Sequence, residues 1–167
     1  LPPTDTATAT PTATPVPATT LTFAPVADAY VSSSAPTTNY GTALTLRVDS
    51  SAPVQRSYLR FDIQGVTAAI TRATLKVYTN SASSAGYVAG SLGGSWAETT
   101  VNYNTPLTIG STIGSSGSFT ANSWTSVNVT GLVVGLAGSS GMLDLAMLPL
   151  NATGIAFSSR QGANPPQ

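Results

Sequence analysis

The 167-residue chain is predicted to fold as an all-β antiparallel sandwich with one short helix and an extended N-terminal tail. Short segments of alternating apolar and polar residues recur along the chain, and turn-forming residues separate them. Only one segment has the spacing of an amphipathic helix. Residues 1–20 differ in composition, being rich in Thr, Pro and Ala, and we assign them to the tail and residues 21–167 to one sandwich domain.

The tail alternates strictly, with Thr at every even position from Thr4 to Thr14. In an extended chain these Thr side chains share one face. Pro11 and Pro15 have the same parity, so their missing N–H groups lie on one lateral side and the Thr N–H groups stay free on the other. We expect the tail either to add as a strand to a neighbouring chain or to be an O-glycosylated linker. The residues expected to pair are Thr4, Thr6, Ala7, Thr8, Ala9, Thr10, Thr12, Ala13 and Thr14.

Two strands separated by a long loop open the sandwich domain. Residues 21–31 are predicted as a strand region with a bend at Pro25. Residues 32–41 form a loop that ends in an Asn-Tyr-Gly turn. Residues 44–48 alternate as a half-buried strand does. The apolar side chains on one face of this strand are Leu44, Leu46 and Val48.

The next two strands show the clearest alternation. Residues 56–63 place one set of side chains toward the core and the opposite set toward solvent. The set predicted to face the core is Ser57, Leu59, Phe61 and Ile63. Residues 70–78 repeat the pattern, and their predicted inward side chains are Ala73, Leu75 and Val77.

Shorter strands and the helix complete the domain. The remaining predicted strands are 87–92, 99–103, 124–129, 143–148 and 155–159. Trp124 precedes an alternating segment and is expected to pack inside. The helix is predicted over residues 130–137, with Thr130 as its N-terminal cap and one apolar face.

Composition excludes several classes of function. Only 7% of residues are charged, six acidic and six basic, so no basic face can neutralise nucleic-acid phosphates. No apolar run reaches the length needed to span a membrane. Solubility must come from hydroxyls, amides or attached glycans, which favours an extracellular or cell-surface location.

Catalysis is not expected. The chain has no His and no Cys, so it lacks a Ser–His or Cys–His nucleophile and a thiolate metal site. The remaining carboxylates form no clustered pair of the kind that hydrolyses glycosidic bonds. We expect no cofactor other than a structural calcium ion, for which Asp28, near the Asn39–Gly41 turn, and Asp49 are the candidates. The alternative is that Asp28 only hydrogen-bonds its loop.

One segment contains the residues of a candidate sugar site. Trp96 would stack on a pyranose face while Glu98 and Asn102 accept its hydroxyls, and Tyr103 is a further candidate sugar-binding residue. The alternative is structural, because Trp96 would then anchor a Gly-rich loop on the sandwich. Outward aromatic residues are candidates for a sugar platform or for subunit contacts, although one sequence does not fix their faces. They are Tyr40, Tyr58, Tyr78, Tyr87 and Tyr103.

Two positions match the N-glycosylation sequon. Asn128 and Asn151 are each followed two residues later by Thr. They are candidates for glycan attachment, and the alternative is that both are ordinary residues at strand ends.

Six motifs in order resemble the DNRLRE-domain family, which is also grouped with carbohydrate-binding modules. They are "ADAYV…APTTNYGT…LRV", "RSYLRFDI", "ITRATLKVYT", "GSWAETTVNYNTP", "SWTSVNVTGLVVGLAGSSG" and "IAFSSRQGANPP". The resemblance implies an extracellular jelly-roll-like sandwich that serves as an accessory module. It also implies an apolar strand after Asn164-Pro165-Pro166, so we expect an open sheet edge where this sequence ends.

Two functions follow from these observations. The first, which is the main interpretation, is a non-catalytic extracellular structural protein, a filament or pilus-like subunit whose tail adds as a strand to the next copy in a head-to-tail homopolymer. The second is a carbohydrate-binding module of a secreted or cell-surface protein, with a polysaccharide as partner.

Overall fold

The computed structural model describes residues 19–136 and 141–167, which form two stacked antiparallel β-sheets. The predicted all-β sandwich is therefore confirmed. The tail positions expected to pair, from Thr4 to Thr14, lie outside the described residues. Among the described residues, no helix is long and apolar enough to cross a membrane.

Nine strands and one short helical segment make up the described fold. The strands are β1 (Pro25–Ser32), β2 (Thr45–Val48), β3 (Gln55–Ile63), β4 (Thr74–Thr79), β5 (Tyr87–Gly93), β6 (Thr108–Ile113), β7 (Ser123–Asn128), β8 (Gly141–Pro149) and β9 (Ile155–Ser158). The helix α1 (Thr130–Val133) continues as a single 3₁₀ turn over Val134–Leu136.

Each sheet has its own strand order. The larger sheet runs β1-β3-β8-β5-β6 and the smaller runs β2-β9-β4-β7. Gly114, just after β6, lies against Val127 and Asn128 of β7, so β6 and β7 border the same side of the sandwich. Both are edge strands, and β1 and β2 form the edges at the opposite side.

The main core lies between the sheets and follows the predicted faces. All four inward residues of β3 are buried, as are Leu75 and Val77 of β4. They pack with Tyr87, Leu145 and Phe157 from the neighbouring strands. Each Å² of apolar surface removed from water contributes about 25 cal/mol. The core between the sheets is therefore the main source of stability of the fold.

A second apolar cluster covers the outer face of the larger sheet. The segment between β5 and β6 folds back over that face and inserts Trp96 and Val101 against Tyr58 and Ala146. The larger sheet is consequently buried on both faces, which alternation along β3 alone does not reveal. Tyr58 was predicted to face solvent and is only 4% exposed for this reason.

Several element predictions need correction. Residues 99–103 form turns rather than a strand, and β6 lies further along, after Pro106. The strand β6 was not predicted because its sequence has no regular alternation of apolar and polar residues. Its two apolar residues, Ile109 and Ile113, are each followed by a glycine. Leu44 precedes β2 and is 66% exposed, while Tyr87, predicted outward, is fully buried between the sheets.

The helix begins at Thr130, but this residue does not cap it. Val129 occupies the capping position and makes no side-chain capping bond. The Thr130 hydroxyl is instead 2.9 Å from the backbone nitrogen of Ala73, which donates to it from the neighbouring strand end of the same sheet. The Thr130 side chain thus joins α1 to the start of β4.

Gln167 pairs with the middle of β4. Its backbone nitrogen donates to the Lys76 carbonyl at 2.9 Å, and the Lys76 nitrogen donates to the Gln167 carbonyl at 2.7 Å. Such a mutual exchange is one rung of an antiparallel ladder. The further apolar strand implied by the family resemblance stays a prediction.

Candidate functional site

A small aromatic surface is exposed on the outer face of the smaller sheet. Trp124 of β7 is 42% exposed and lies directly opposite Tyr78 of β4. The two rings meet edge to face, with centroids 5.6 Å apart and planes at 78°. The Lys76 ammonium lies 5.4 Å from the centroid of the Trp124 ring. We call Lys76, Tyr78 and Trp124 the aromatic platform.

The strand register and the preceding turn hold this platform in place. Alternate residues of β4 and β7 point outward, and cross-strand pairing sets Lys76 beside Ser126 and Tyr78 beside Trp124. The buried Thr79 hydroxyl donates to the carbonyls of Thr120 and Ser123 at 3.0 and 3.1 Å. These bonds fix the turn from which Trp124 emerges.

The prediction that Trp124 packs inside the sandwich is therefore wrong, because its side chain is exposed. Its neighbours Thr125 and Val127 are buried, so the alternation was detected but Trp124 belongs to the opposite face. A large indole on the solvent face of a strand has an exposed apolar surface without a core to fill. Stacking on an apolar ring face is a role that such an aromatic side chain supports.

Polar side chains continue along β7 beside the platform. Ser126 and Asn128 are exposed on the same outer face as Trp124. Hydroxyl and amide groups of this kind donate to and accept from sugar hydroxyls. The combination of a flat aromatic ring and adjacent amide and hydroxyl groups suits a ligand with apolar faces and polar edges.

A shallow pocket lies on the same sheet near β2 and β9. Arg47 and Asp49 contribute charge to it. The pocket is lined by Arg47, Asp49, Gln55, Ser81, Gly154, Ile155 and Ala156. Its small size and polar rim make it an extension of the surface rather than an enclosed site.

Trp96 lies in the second apolar cluster. It is 6% exposed, and its indole nitrogen donates to Asp144 Oδ1 at 2.9 Å. The Arg60 guanidinium stacks 4.7 Å from the Trp96 ring centroid and donates to both oxygens of Asp144. With Arg60 over its ring, Tyr58 beside it and its N–H bonded to Asp144, Trp96 anchors its loop, as the structural alternative for this residue describes.

The Glu98 carboxylate is held by three residues from two other parts of the chain. Its two carboxylate oxygens accept from Arg160 Nε and Nη2 at 2.6 and 2.7 Å. The Asp28 backbone nitrogen and the Gln161 amide also donate to Glu98 Oε1. These contacts join β1 and the C-terminal loop to the segment after Trp96.

The remaining residues of the sequence-predicted sugar site also contact their own loop. Asn102 accepts from the Asn104 nitrogen and its own nitrogen donates to the Thr105 hydroxyl, both at 3.0 Å. Tyr103 is half-buried, and the Arg56 guanidinium lies 5.6 Å from its ring centroid. The structure places all four residues on one segment and orients Trp96 and Glu98 toward the protein. Their role toward a sugar stays a prediction.

The pKa values of Asp28 and Glu98 are shifted in opposite directions by burial and hydrogen bonding. Desolvation raises the pKa of Asp28 to about 6, despite a hydrogen bond from the Arg160 nitrogen that lowers it. Desolvation also acts on Glu98, but hydrogen bonds from Arg160, Asp28 and Gln161 outweigh it and lower the pKa of Glu98. Asp28 is therefore the weaker acid of the pair.

In the described part of the chain, neither calcium candidate, Asp28 or Asp49, belongs to a group of three or more potential metal ligands. Within 19–136 and 141–167, no group of three His, Cys, Asp or Glu residues is placed to hold a metal ion. Asp28 Oδ2 accepts from the Arg160 nitrogen, and Asp49 Oδ1 accepts from the nitrogen and hydroxyl of Ser51. Both contacts match the loop-bonding alternative, and a calcium ion at either residue stays a prediction.

The two sequon asparagines lie at the surface. Asn128 is exposed, and its side-chain oxygen accepts from the Thr130 nitrogen and hydroxyl at 3.0 and 2.7 Å. Asn151 is half-buried and accepts from the Thr153 nitrogen at 3.2 Å. Glycan attachment at either residue stays a prediction.

A comparison with known families places almost the whole described domain in one of them. Residues 19–167 match the family model described as Carbohydrate-binding module family 96. This match supports the carbohydrate-binding grouping implied by the family resemblance. It does not confirm the DNRLRE family name. No curated protein matches the chain.

Proposed function

Because the chain belongs to carbohydrate-binding module family 96, we propose that it is a non-catalytic module that binds a polysaccharide through the aromatic platform. The observation that carries this proposal is the exposure of Trp124 between Tyr78 and Lys76 on an otherwise polar sheet face. An extracellular or cell-surface location fits a module whose ligand is a polysaccharide.

The platform supplies two kinds of contact to a sugar chain. The Trp124 ring offers an apolar surface for the C–H face of a pyranose, and Tyr78 packs edge-on against it and limits its rotation. Ser126 and Asn128 offer hydrogen bonds along the strand. Because the surface is open rather than enclosed, it favours an extended polymer chain over a small free sugar.

The Lys76 ammonium adds a positive charge beside the ring. A cation at this place attracts carboxylated sugars at low salt, and the attraction is weaker at high salt because exposed charges are screened. Binding to neutral polysaccharides depends little on salt. The ionic-strength dependence of binding therefore separates neutral from uronic-acid ligands.

The proposal is tested with the variant Trp124→Ala. Removal of a central stacking residue is expected to weaken binding at least about tenfold, which corresponds to ~1.4 kcal/mol or more. Binding is measured by affinity gel electrophoresis and calorimetry against insoluble and soluble neutral polysaccharides and against uronic-acid polymers. Thermal unfolding of the variant should match that of the unaltered chain, because Trp124 is outside the core.

Tyr40→Ala is the matched control. Tyr40 stacks on Tyr30 at 4.2 Å near the opposite edge of the sandwich, so its removal deletes an accessible aromatic ring away from the platform. We expect it to bind as the unaltered chain does. The platform would be rejected if Trp124→Ala bound as tightly as the unaltered chain. It would also be rejected if Tyr40→Ala lost binding. Absence of binding to every polysaccharide tested would reject the function.

The filament function rests on the tail, which lies outside the described residues. The family match supports carbohydrate binding rather than fibre formation. A tail-mediated contact between copies is compatible with either function.

A further inference from the structure

We propose that the edge of β7 is a docking site for the Thr-rich segment, residues 4–14, of a second copy of this chain. The segment would add as one more strand beside β7. This interaction is separate from polysaccharide binding and does not depend on it.

The first argument is the direction of the backbone groups of β7. Lys76 lies directly opposite Ser126, and the Lys76 N–H and C=O bond to Gln167 on the far side of β4. The pair Lys76–Ser126 is therefore a non-hydrogen-bonded pair of the ladder, so the Ser126 N–H and C=O point away from β4. The two-residue period of a strand gives Trp124 the same direction.

These outward backbone groups lack partners in the described part of the chain. Among residues 19–136 and 141–167, no hydrogen bond reaches the backbone N–H or C=O of Trp124 or Ser126 from beyond the edge. The open stretch ends at Asn128, because Gly114 approaches the backbone of that residue. An incoming strand can thus exchange two pairs of backbone hydrogen bonds at Trp124 and Ser126.

The second argument is the absence of the features that usually protect an edge. Proteins discourage edge pairing with charged residues, proline or a covering segment. The sequence from residue 99 to residue 143, which includes β6 and β7, contains no charged residue, and β7 contains no proline. The edge strand itself therefore has no charge or proline that would repel a second backbone.

The third argument is the chemistry of the tail. Residues 4–14 carry a single charge, at Asp5, and their β-branched Thr residues favour the extended state. If the segment is extended, the Thr N–H groups would lie on the lateral side opposite the missing N–H of Pro11. One side of the segment can therefore pair completely, and the other side can only be an edge.

The position of the tail favours a neighbouring copy over the same copy. The chain enters the sandwich through β1, at the opposite side from β7. A tail on its own β7 would have to pass across the width of the domain before pairing. A tail that extends away from β1 instead meets the β7 edge of another copy, and repetition of this contact is head to tail.

The test uses full-length variants with prolines of chosen parity. Thr8→Pro with Thr10→Pro removes N–H groups from the pairing side of the tail, whereas Ala7→Pro with Ala9→Pro removes N–H groups from the side that already contains Pro11. Self-association is measured by sedimentation and electron microscopy over a range of protein concentrations. We expect at least tenfold weaker association for the Thr pair and little change for the Ala pair.

A variant on the body identifies the edge. Ser126→Pro removes an outward N–H that the ladder with β4 does not use, and we expect it to weaken association as the Thr pair does. Circular dichroism and thermal unfolding confirm that it is folded. Were Ser126→Pro to unfold the domain, Ser126→Lys, which adds a charge at the same edge, would replace it.

Three results would overturn the proposal. They are a purely monomeric unaltered chain at high concentration, equal weakening by both proline pairs, and unchanged association of folded Ser126→Pro and Ser126→Lys. Polysaccharide binding is a separate measurement, so failure of this proposal leaves the proposed function unaffected.

Discussion

At the scale of single residues, the environment of each side chain determines its role more than its type does. Trp96 and Trp124 are both large aromatic residues in segments rich in small residues. Trp96 is enclosed by Arg60, Tyr58 and Asp144, whereas Trp124 contacts Tyr78 and solvent. Only the second is accessible for stacking on a ligand.

Asp28 should make the stability of the fold depend on pH in the mildly acidic range. Its pKa is about 6 in the folded chain and near 3.8 when exposed, so the folded state holds a proton that the unfolded state releases. Between these values folding favours the protonated form, and stability falls as pH rises from about 4 to 6. The total loss is up to about 3 kcal/mol, after which the contribution of Asp28 is constant.

The variant Asp28→Asn is expected to remove this decline. Urea unfolding at pH 4, 5, 6 and 7 measures the free energy of unfolding for both chains. Asp62→Asn is the control, because Asp62 is less buried and, in the described part of the chain, its carboxylate accepts a side-chain hydrogen bond from Gln64 alone. If the free energy of unfolding of Asp28→Asn still falls between pH 4 and 6, the decline is caused by another titratable group.

At the scale of elements, the segment between β5 and β6 shows how a polar group holds a loop on a sheet. Asp144 of β8 accepts from Arg60 of β3 and from the Trp96 indole, at 2.7 and 2.9 Å. One carboxylate therefore joins two strands to the loop that covers them. The carboxylate is mostly shielded from water, and its bonds are charge-assisted.

Asp144→Ala is expected to destabilise the fold by about 2–4 kcal/mol, because the Arg60 charge and the Trp96 N–H lose their acceptor in a shielded place. Asp144→Asn keeps an acceptor for Trp96 and should lose less. Chemical denaturation of both variants gives the comparison. An Asp144→Ala chain as stable as the unaltered one would show that the loop does not need this contact.

At the scale of the whole molecule, the two sheets meet along the side bordered by β6 and β7. Gly114 has a φ of +65°, and a Cβ there would lie 2.5 Å from Val127 Cγ1 and 2.7 Å from the Asn128 carbonyl oxygen. No side chain larger than hydrogen fits between the end of β6 and the edge of β7. The closure of the sandwich on this side depends on this glycine.

Gly114→Ala and Gly117→Ala form a matched pair that measures this closure. Gly117 has the same φ of +65°, but a Cβ there meets nothing within 4 Å. Gly117→Ala should therefore cost only the backbone strain of about 1–2 kcal/mol. Gly114→Ala should cost several kcal/mol more in thermal or urea unfolding, since the added methyl group overlaps a packed side chain and a backbone oxygen. Equal costs would show that the two edges can separate without penalty.

The sequence alone determined the fold class, the inward faces of β3 and β4, and the absence of His- and Cys-based chemistry. These conclusions depend on local properties, because the two-residue period of a strand and the residue types are visible along the chain. The residues of β6 lack that period, and its position was missed.

Only the tertiary structure decided which face of each sheet is covered. The outer face of the larger sheet is buried by a loop that is distant in sequence, so Tyr58 and Trp96 are enclosed. Among residues 19–136 and 141–167, no segment covers the outer face of the smaller sheet over Trp124, which is 42% exposed. Alternation distinguishes the two faces of a strand but does not reveal what packs on each, because burial depends on contacts between segments far apart in the chain.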